Sequence, residues 1–217
     1  MADESGMKIN SDLFRYCGTI SHKSFYHNYI FNSGFRFSFY LRKCSGIREG
    51  KKDSRLIQQF WRFLLWRTEL KYHIHIDPTT KIGYGLYIGY GEFVTITPLA
   101  IIGNNLNINH GAVIGSTNRG KRKGAPTIGN NVWIGTHAVV VGKITIGDNV
   151  LIAPLAHVHF DVPDNAVVAG NPGKIISFSG TEGYVENTWN SYSAQSLKTG
   201  SNPESDTVCK RIEEVPK

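Results

Sequence analysis

The chain has 217 residues, 41% of them hydrophobic, enough for one domain with appendages. Its three cysteines (Cys17, Cys44, Cys209) are odd in number and scattered without a Cys-x-x-Cys pair, which argues against a disulfide framework or a zinc knuckle. The formal charge of +7 gathers at one end: residues 1–75 hold thirteen Lys/Arg against six Asp/Glu, residues 76–174 seven against five, and residues 175–217 four against six. That excess suits an anionic partner (a membrane face, an acidic glycan, a neighbouring subunit) or simply a solvated helix face. Nucleic acid is not expected, because no recognition motif accompanies the charge. Met1-Ala-Asp-Glu-Ser is acidic and polar, unlike a signal peptide, so the expectation is a cytoplasmic protein. The sharper version places the basic N-terminal part against the inner face of the membrane.

Residues 1–10 read as a loose end. Ser11 to Leu41 is rich in aromatic residues and is split at Ser33-Gly34, which predicts two short helices. Their rings would cover the open end of whatever follows. Ser45–Ser54 is basic and carries Gly46 and Gly50, a linker. Asp53 to about Lys71 is the best helix of the sequence. Leu56, Phe60, Phe63, Leu64 and Arg67 fall at helical spacing, and Ile57, Trp61 and Leu65 widen the apolar face. Phe60–Trp66 is the most apolar run, yet it is short and carries Arg62, so it cannot span a bilayer.

From Ile82 to Val158 small apolar residues recur every six positions, usually followed by Gly, as in Ile82-Gly83, Ile88-Gly89, Ile102-Gly103, Ile128-Gly129 and Ile146-Gly147. Neither a helix (period 3.6) nor a single strand (period 2) explains this, whereas hexapeptide repeats mark a parallel β-helix. Three such hexads close one coil, with Gly and Asn at the corners, where the backbone needs positive φ. From Ile128 to Ile146 is one clean coil. From Ile82 to Ile102 there are two extra residues near Tyr90, and from Ile102 to Ile128 an excursion at Ser116–Pro126. Excursions on a rigid stack are where function usually sits. After the repeat, Phe160–Lys174 is expected to leave the prism as an extended segment. From Ser177 the chain turns polar and reads as a disordered or loosely attached tail, with a short helix possible around Asp206–Glu214. The division is 1–72 helical cap, 73–176 coil domain and 177–217 tail.

The run Pro126-Thr-Ile-Gly-Asn-Asn-Val-Trp-Ile-Gly135, followed by Asp161-Val-Pro-Asp-Asn-Ala-Val-Val-Ala-Gly-Asn-Pro-Gly-Lys-Ile-Ile176, resembles the hexapeptide-repeat acyltransferases. The likeness is to their serine acetyltransferase-like and sugar O-acetyltransferase branch, and it covers roughly residues 76–176. It implies an all-β solenoid, a left-handed parallel β-helix of about four coils with an N-terminal α-helical cap. It also implies acetyl-CoA as donor, a histidine base, no metal, and a site between subunits of a homotrimer.

Acetyl transfer to a hydroxyl needs a base for its proton, donors for the oxyanion and a groove for the pantetheine arm. The serine acetyltransferases carry their catalytic His where this chain has Tyr90, and a second active-site His where it has Ala125. With Ile88 stacked under Ile108, His110 of Asn107-Ile-Asn-His110-Gly111 sits about 4.8 Å above the Tyr90 position. His110 is therefore the expected base, with His137 and His75 as alternatives. Tyr90 would orient the acceptor or His110, and Glu92, more than Asp77, would be the carboxylate partner. In the loop Ser116–Gly124 and the glycine before it, Gly115 to Lys121 nearly spells a phosphate-binding loop, but Arg122 stands where Ser or Thr would bind magnesium, so nucleotide hydrolysis is rejected. Its Arg119 and Lys121, with Arg122 and Lys123, could pair with coenzyme A phosphates or an acidic sugar. By resemblance, Trp133, Thr136, Pro154, Gly170 and Lys174 line the coenzyme groove.

The missing histidines, the short N-terminal module and the basic cap favour a carbohydrate acceptor. The expected reaction is O-acetylation of a sugar hydroxyl of a surface polysaccharide (capsule or lipopolysaccharide) or its precursor. Serine O-acetylation, amino-sugar N-acetylation and a non-catalytic scaffold remain as alternatives.

Overall fold

The computed structural model describes residues 4–48 and 55–190. The N-terminal part is helical: α1 (Glu4–Cys17), α2 (His22–Phe31), α3 (Ser33–Arg48) and α4 (Arg55–Tyr72). Three helices thus precede α4 where the sequence suggested a loose end and two short helices. Residues 4–10 join α1 because Ile9, Leu13 and Phe14 are all buried on its packed side. α2 starts at Ser21, whose hydroxyl accepts the Ser24 N–H at 3.1 Å, a standard N-cap. α3 runs on through Ser45–Arg48, so the start of the expected linker is helix, and its residues 49–54 lie outside the described ones. Gly34 has a packing role as well as marking the break after α2. A Cβ there would collide with the Ile88 carbonyl, so glycine lets α3 lie against the first coil.

Four coils of three short strands follow. The first holds β1 (His75–Ile76), β2 (Lys81–Ile82) and β3 (Tyr87–Ile88). The second holds β4 (Thr95–Ile96), β5 (Ile101–Ile102) and β6 (Asn107–Ile108). The third holds β7 (Val113–Gly115), β8 (Thr127–Ile128) and β9 (Trp133–Ile134), and the fourth β10 (Val139–Val141), β11 (Thr145–Ile146) and β12 (Leu151–Ile152). Each strand pairs in parallel with the strand three places on. The chain therefore winds through three sheets in turn: A (β1-β4-β7-β10), B (β2-β5-β8-β11) and C (β3-β6-β9-β12). The register pairs Ile82 with Ile102, Ile102 with Ile128, and Ile88 with Ile108. The hexad residues point inward as one column of buried Ile, Val, Leu and Ala.

A fifth coil is begun. β13 (His157–Val158) extends sheet A, Val162 bridges Ile146, and β14 (Val167–Ala169) extends sheet C. Phe160–Lys174 thus stays in the stack instead of leaving it, because Val162, Ala166 and Val168 keep the inward pattern. β15 (Lys174–Ser177) then turns back antiparallel on β14.

The first coil would expose unpaired strand edges. α1 covers them with side-chain acceptors. Gly85 N–H donates to Ser11 Oγ at 2.9 Å, Leu86 N–H to Asp12 Oδ1 at 2.8 Å, and Ile88 N–H to Tyr16 Oη at 2.9 Å. Arg42 of α3 donates to the carbonyls of Ile82 and Gly83 and, through Nε and Nη2, to the Asp12 carboxylate. Burial outweighs Arg42 and lifts the Asp12 carboxyl above its ordinary range.

Residues 178–190 are not loose. Gly180 N–H donates to the Asn165 carbonyl, Thr181 N–H to Asn149 Oδ1, and Thr181 Oγ1 to the Asn131 carbonyl. The Tyr184 carbonyl accepts from Asn107 Nδ2, and Trp189 N–H donates to Asn105 Oδ1. The segment descends from the fifth coil to the first, where the Trp189 ring stacks on Tyr84 at 5.8 Å. It follows a ladder of left-handed corner residues, Asn105, Asn131, Asn149 and Asn165. Polar composition suggested looseness, but these side chains supply the amide partners that a hydrophobic pattern cannot reveal. Residues 191–217, including the helix expected around Asp206–Glu214, lie outside the described residues.

Candidate active site

The corner between sheets C and A carries the candidate residues. Ile108 pairs with Ile134, Ile134 with Ile152, and Ile152 with Val168. Two residues on from each, His110, Thr136, Pro154 and Gly170 therefore occupy one corner position in successive coils. Below His110 the register divides, because the turn from β3 to β4, between the first and second coils, carries two extra residues. Counted from sheet C, Tyr90 lies beneath His110. Counted from sheet A, where Ile96 pairs with Ile114, it is Glu92. The amide ladder follows sheet A. Gly111 N–H donates to the Glu92 carbonyl at 3.3 Å, as His137 N–H does to the His110 carbonyl at 2.9 Å and Leu155 N–H to the Thr136 carbonyl at 2.9 Å. Tyr90 and Gly91 are the inserted pair, and the Tyr90 side chain is 82% exposed.

The next corner position reads His73, Phe93, Gly111, His137, Leu155, all with left-handed φ between 53° and 69°. Its rings surround the half-buried His110. Phe93 meets it edge-on at 5.5 Å and 72°, and His137 at 5.2 Å and 88°. His73 stacks on Phe93 at 4.8 Å. No candidate carboxylate is ion-paired to His110 among the described residues, and Glu92 is exposed.

At the other edge of sheet A, β7 runs into the excursion of residues 116–124. Thr117 and Gly124 exchange backbone hydrogen bonds at 2.9 Å and close its neck. Arg122 is pinned, its Nη1 donating to Asp161 Oδ2 at 3.1 Å, while its carbonyl accepts from Thr117 Oγ1 and Lys143 N–H. The Thr145 N–H and then Arg122 hold the Asp161 carboxyl below its ordinary range. Arg119 and Lys121 are exposed at the tip and make no ion pair among the described residues. One strand, β7, thus separates the His110 corner from a basic loop.

The structure brings His110, Glu92, Thr136, Pro154 and Gly170 to one corner, with Tyr90 bulging beside them. Trp133 stands apart on sheet C, half-covered by the Tyr184 ring at 5.1 Å. Lys174 lies exposed on β15. Phe93 and His73 were overlooked as neighbours of His110. Their signal was present in the spacing, since His73, Phe93, Gly111 and His137 lie 20, 18 and 26 residues apart, the same steps as the sheet A register. Among the described residues, no three His, Cys, Asp or Glu stand together as a metal site would need.

Residues 125–159 match the bacterial transferase hexapeptide family (six repeats). Over 119 residues the chain is 38% identical to a serine acetyltransferase of Synechococcus elongatus, covering 55% of this chain and 49% of that protein. Over 104 residues it is 40% identical to a serine acetyltransferase of Helicobacter pylori, covering 48% and 61%. The chain spans between 30% and 61% of the length of such relatives. A soybean serine acetyltransferase apoenzyme aligns with a TM-score of 0.66 at 26% identity, covering 79% of this chain and 69% of that one. The Neisseria gonorrhoeae serine acetyltransferase in complex with serine aligns at 0.67 and 26%, covering 81% and 70%. These relatives overturn the expectation of a sugar acceptor and a polysaccharide role, which rested on the histidines missing at Tyr90 and Ala125, the short N-terminal module and the basic cap. In this chain a histidine one coil further on is available at the same corner, so those two substitutions did not diagnose the acceptor. Residues 125–159 thus carry the repeat of the bacterial transferase hexapeptide family, and the fold is similar to that of the serine acetyltransferases.

Proposed function

We propose that the protein transfers the acetyl group of acetyl-CoA to the hydroxyl of L-serine, with His110 as general base. The carrying observation is the His110 corner: a half-buried imidazole held edge-on by Phe93 and His137, above Glu92 and across one strand from a basic loop whose Arg119 and Lys121 make no ion pair among the described residues. The serine hydroxyl gives its proton to the free nitrogen of His110 as its oxygen attacks the thioester carbonyl carbon. The tetrahedral intermediate collapses with cleavage of the C–S bond. The proton then passes from His110 to the departing thiolate, giving O-acetylserine and coenzyme A. Glu92 orients the system from below, and Tyr90 bounds the acceptor. Thr136, Pro154 and Gly170 continue the corner along the path of the pantetheine arm, with Trp133 on the neighbouring sheet. Arg119, Lys121 and Lys174 meet the coenzyme phosphates as exposed cations. Residues 1–72 serve as cap and 73–176 as the catalytic coil, wound left-handed and assembled as a homotrimer, as the resemblance implies.

The test is thiol release from acetyl-CoA with L-serine, for the intact protein and for His110→Ala. Turnover with serine is expected, reduced about 10²-fold or more in the variant. Turnover only with another acceptor refutes serine, and full activity of His110→Ala refutes the base.

A further inference from the structure

α4 packs against the cap with only part of its circumference. Leu65, Thr68 and Tyr72 are buried, and Trp61 and Leu64 are half-buried. Much of the apolar face points outward. Leu56 is 77% exposed, Phe60 54%, Phe63 51% and Leu70 56%, with Ile57 and Trp66 beside them. Leu56, Phe60, Phe63, Arg67 and Leu70 follow one another at steps of four and three, a single stripe along an 18-residue helix about 27 Å long. Arg55, Arg62 and Lys71 lie off the stripe and Arg67 within it. None of the four makes an ion pair among the described residues, and the only acid on the helix, Glu69, has its carboxyl pushed up by burial.

We propose that this face docks on an anionic lipid surface, the helix lying in the headgroup layer with Phe60, Phe63, Leu56 and Leu70 inserted and the arginines reaching phosphate. Charge selects this occupant. Two copies packed stripe to stripe would face four cations and one acid against the same set, a repulsion that anionic headgroups turn into attraction. A nucleic acid would satisfy the cations and leave Leu56 and Leu70 in water. No helix among the described residues is long and apolar enough to cross a membrane, so the geometry is that of a helix lying on the surface. The inference stands independently of the acceptor and of His110.

The full chain is sedimented with vesicles of phosphatidylcholine alone and of phosphatidylcholine with phosphatidylglycerol. Binding is expected only to the anionic vesicles and should weaken as salt rises. Arg62→Gln/Arg67→Gln should weaken it about thirtyfold, and Phe60→Asn/Phe63→Asn should abolish it with the helical circular dichroism unchanged. Absence of binding at low ionic strength, equal binding to neutral vesicles, or an unchanged affinity of the arginine variant would rule out lipid docking. Sedimentation of the wild type without lipid, as an assembly that Phe60→Asn/Phe63→Asn splits, would rule it out as well, for then a second copy covers the face.

Discussion

The ring of His137 occupies the space that a side chain on Gly111 would need, one coil below it. Gly111 also has φ of +69°, a conformation that L side chains rarely adopt. Its missing Cβ is therefore what lets His137 close over the corner beside His110. Gly111→Ala should displace His137, and with it His110, without unfolding the stack. The expected result is a fall in kcat of about tenfold or more, with KM for acetyl-CoA little changed, because misplacement by a fraction of an ångström suffices.

His137 holds His110 by ring packing, and its replacement separates packing from proton transfer. His137→Phe keeps the edge-to-face contact and should retain most of kcat. His137→Ala removes the contact, worth about 0.5–1.5 kcal/mol beyond burial, and should lower kcat severalfold. Equal losses in both variants would assign His137 a proton-carrying role.

The coil stack was legible in the sequence because a period of six leaves no other regular structure, and the spacings 20, 26 and 18 reappear as Ile82–Ile102, Ile102–Ile128 and Ile128–Ile146. The corner was half legible. Stacking Ile88 under Ile108 placed His110 over Tyr90, but a two-residue insertion has two ends, and only the amide ladder shows that Glu92 continues the column. The orientation of α4 was not legible. A broad apolar face reads as core whenever nothing says which side meets α3, and Leu65, Thr68 and Tyr72, not Phe60 and Phe63, turned out to be the inner residues. The descent of residues 178–190 was hidden for another reason: Thr181, Tyr184 and Trp189 are held one by one, by hydrogen bonds and rings that follow no period.

Asp12 and Arg42 are both buried and satisfy each other as well as the first coil. Arg42→Met leaves a buried carboxylate uncompensated and should cost about 3–5 kcal/mol at neutral pH, read as a lower midpoint in denaturant. Burial raises the Asp12 carboxyl in the folded chain. A raised folded value means that acidification favours the folded form, so the deficit of the variant should shrink as pH falls and Asp12 takes its proton. Adding Asp12→Asn should recover part of the loss at neutral pH.

Asp161 is displaced the other way, held below its ordinary range by the Thr145 N–H and Arg122. For a lowered carboxyl the stabilising contact is complete above the unfolded value and fades as pH falls through the folded one. The Thr145 amide resonance should therefore titrate with a midpoint below that of a free aspartate. Asp161→Asn should loosen the neck of the basic loop, seen as faster hydrogen exchange at residues 116–124, with no measurable effect on global stability because the pair is exposed.

Repeat stacks in which each unit touches only its neighbours can lose terminal units one at a time. Residues 178–190 change that arithmetic. By joining Asn165 of the last coil to Asn149, Asn131 and Asn105, and ending on Tyr84 of the first, they act like a tie rod through a column of discs. Fraying at the far end then strains the base, and the base is already locked to the helices through Ser11, Asp12 and Tyr16. Such a column should give way all at once, cap and coils together, rather than peel from its tip.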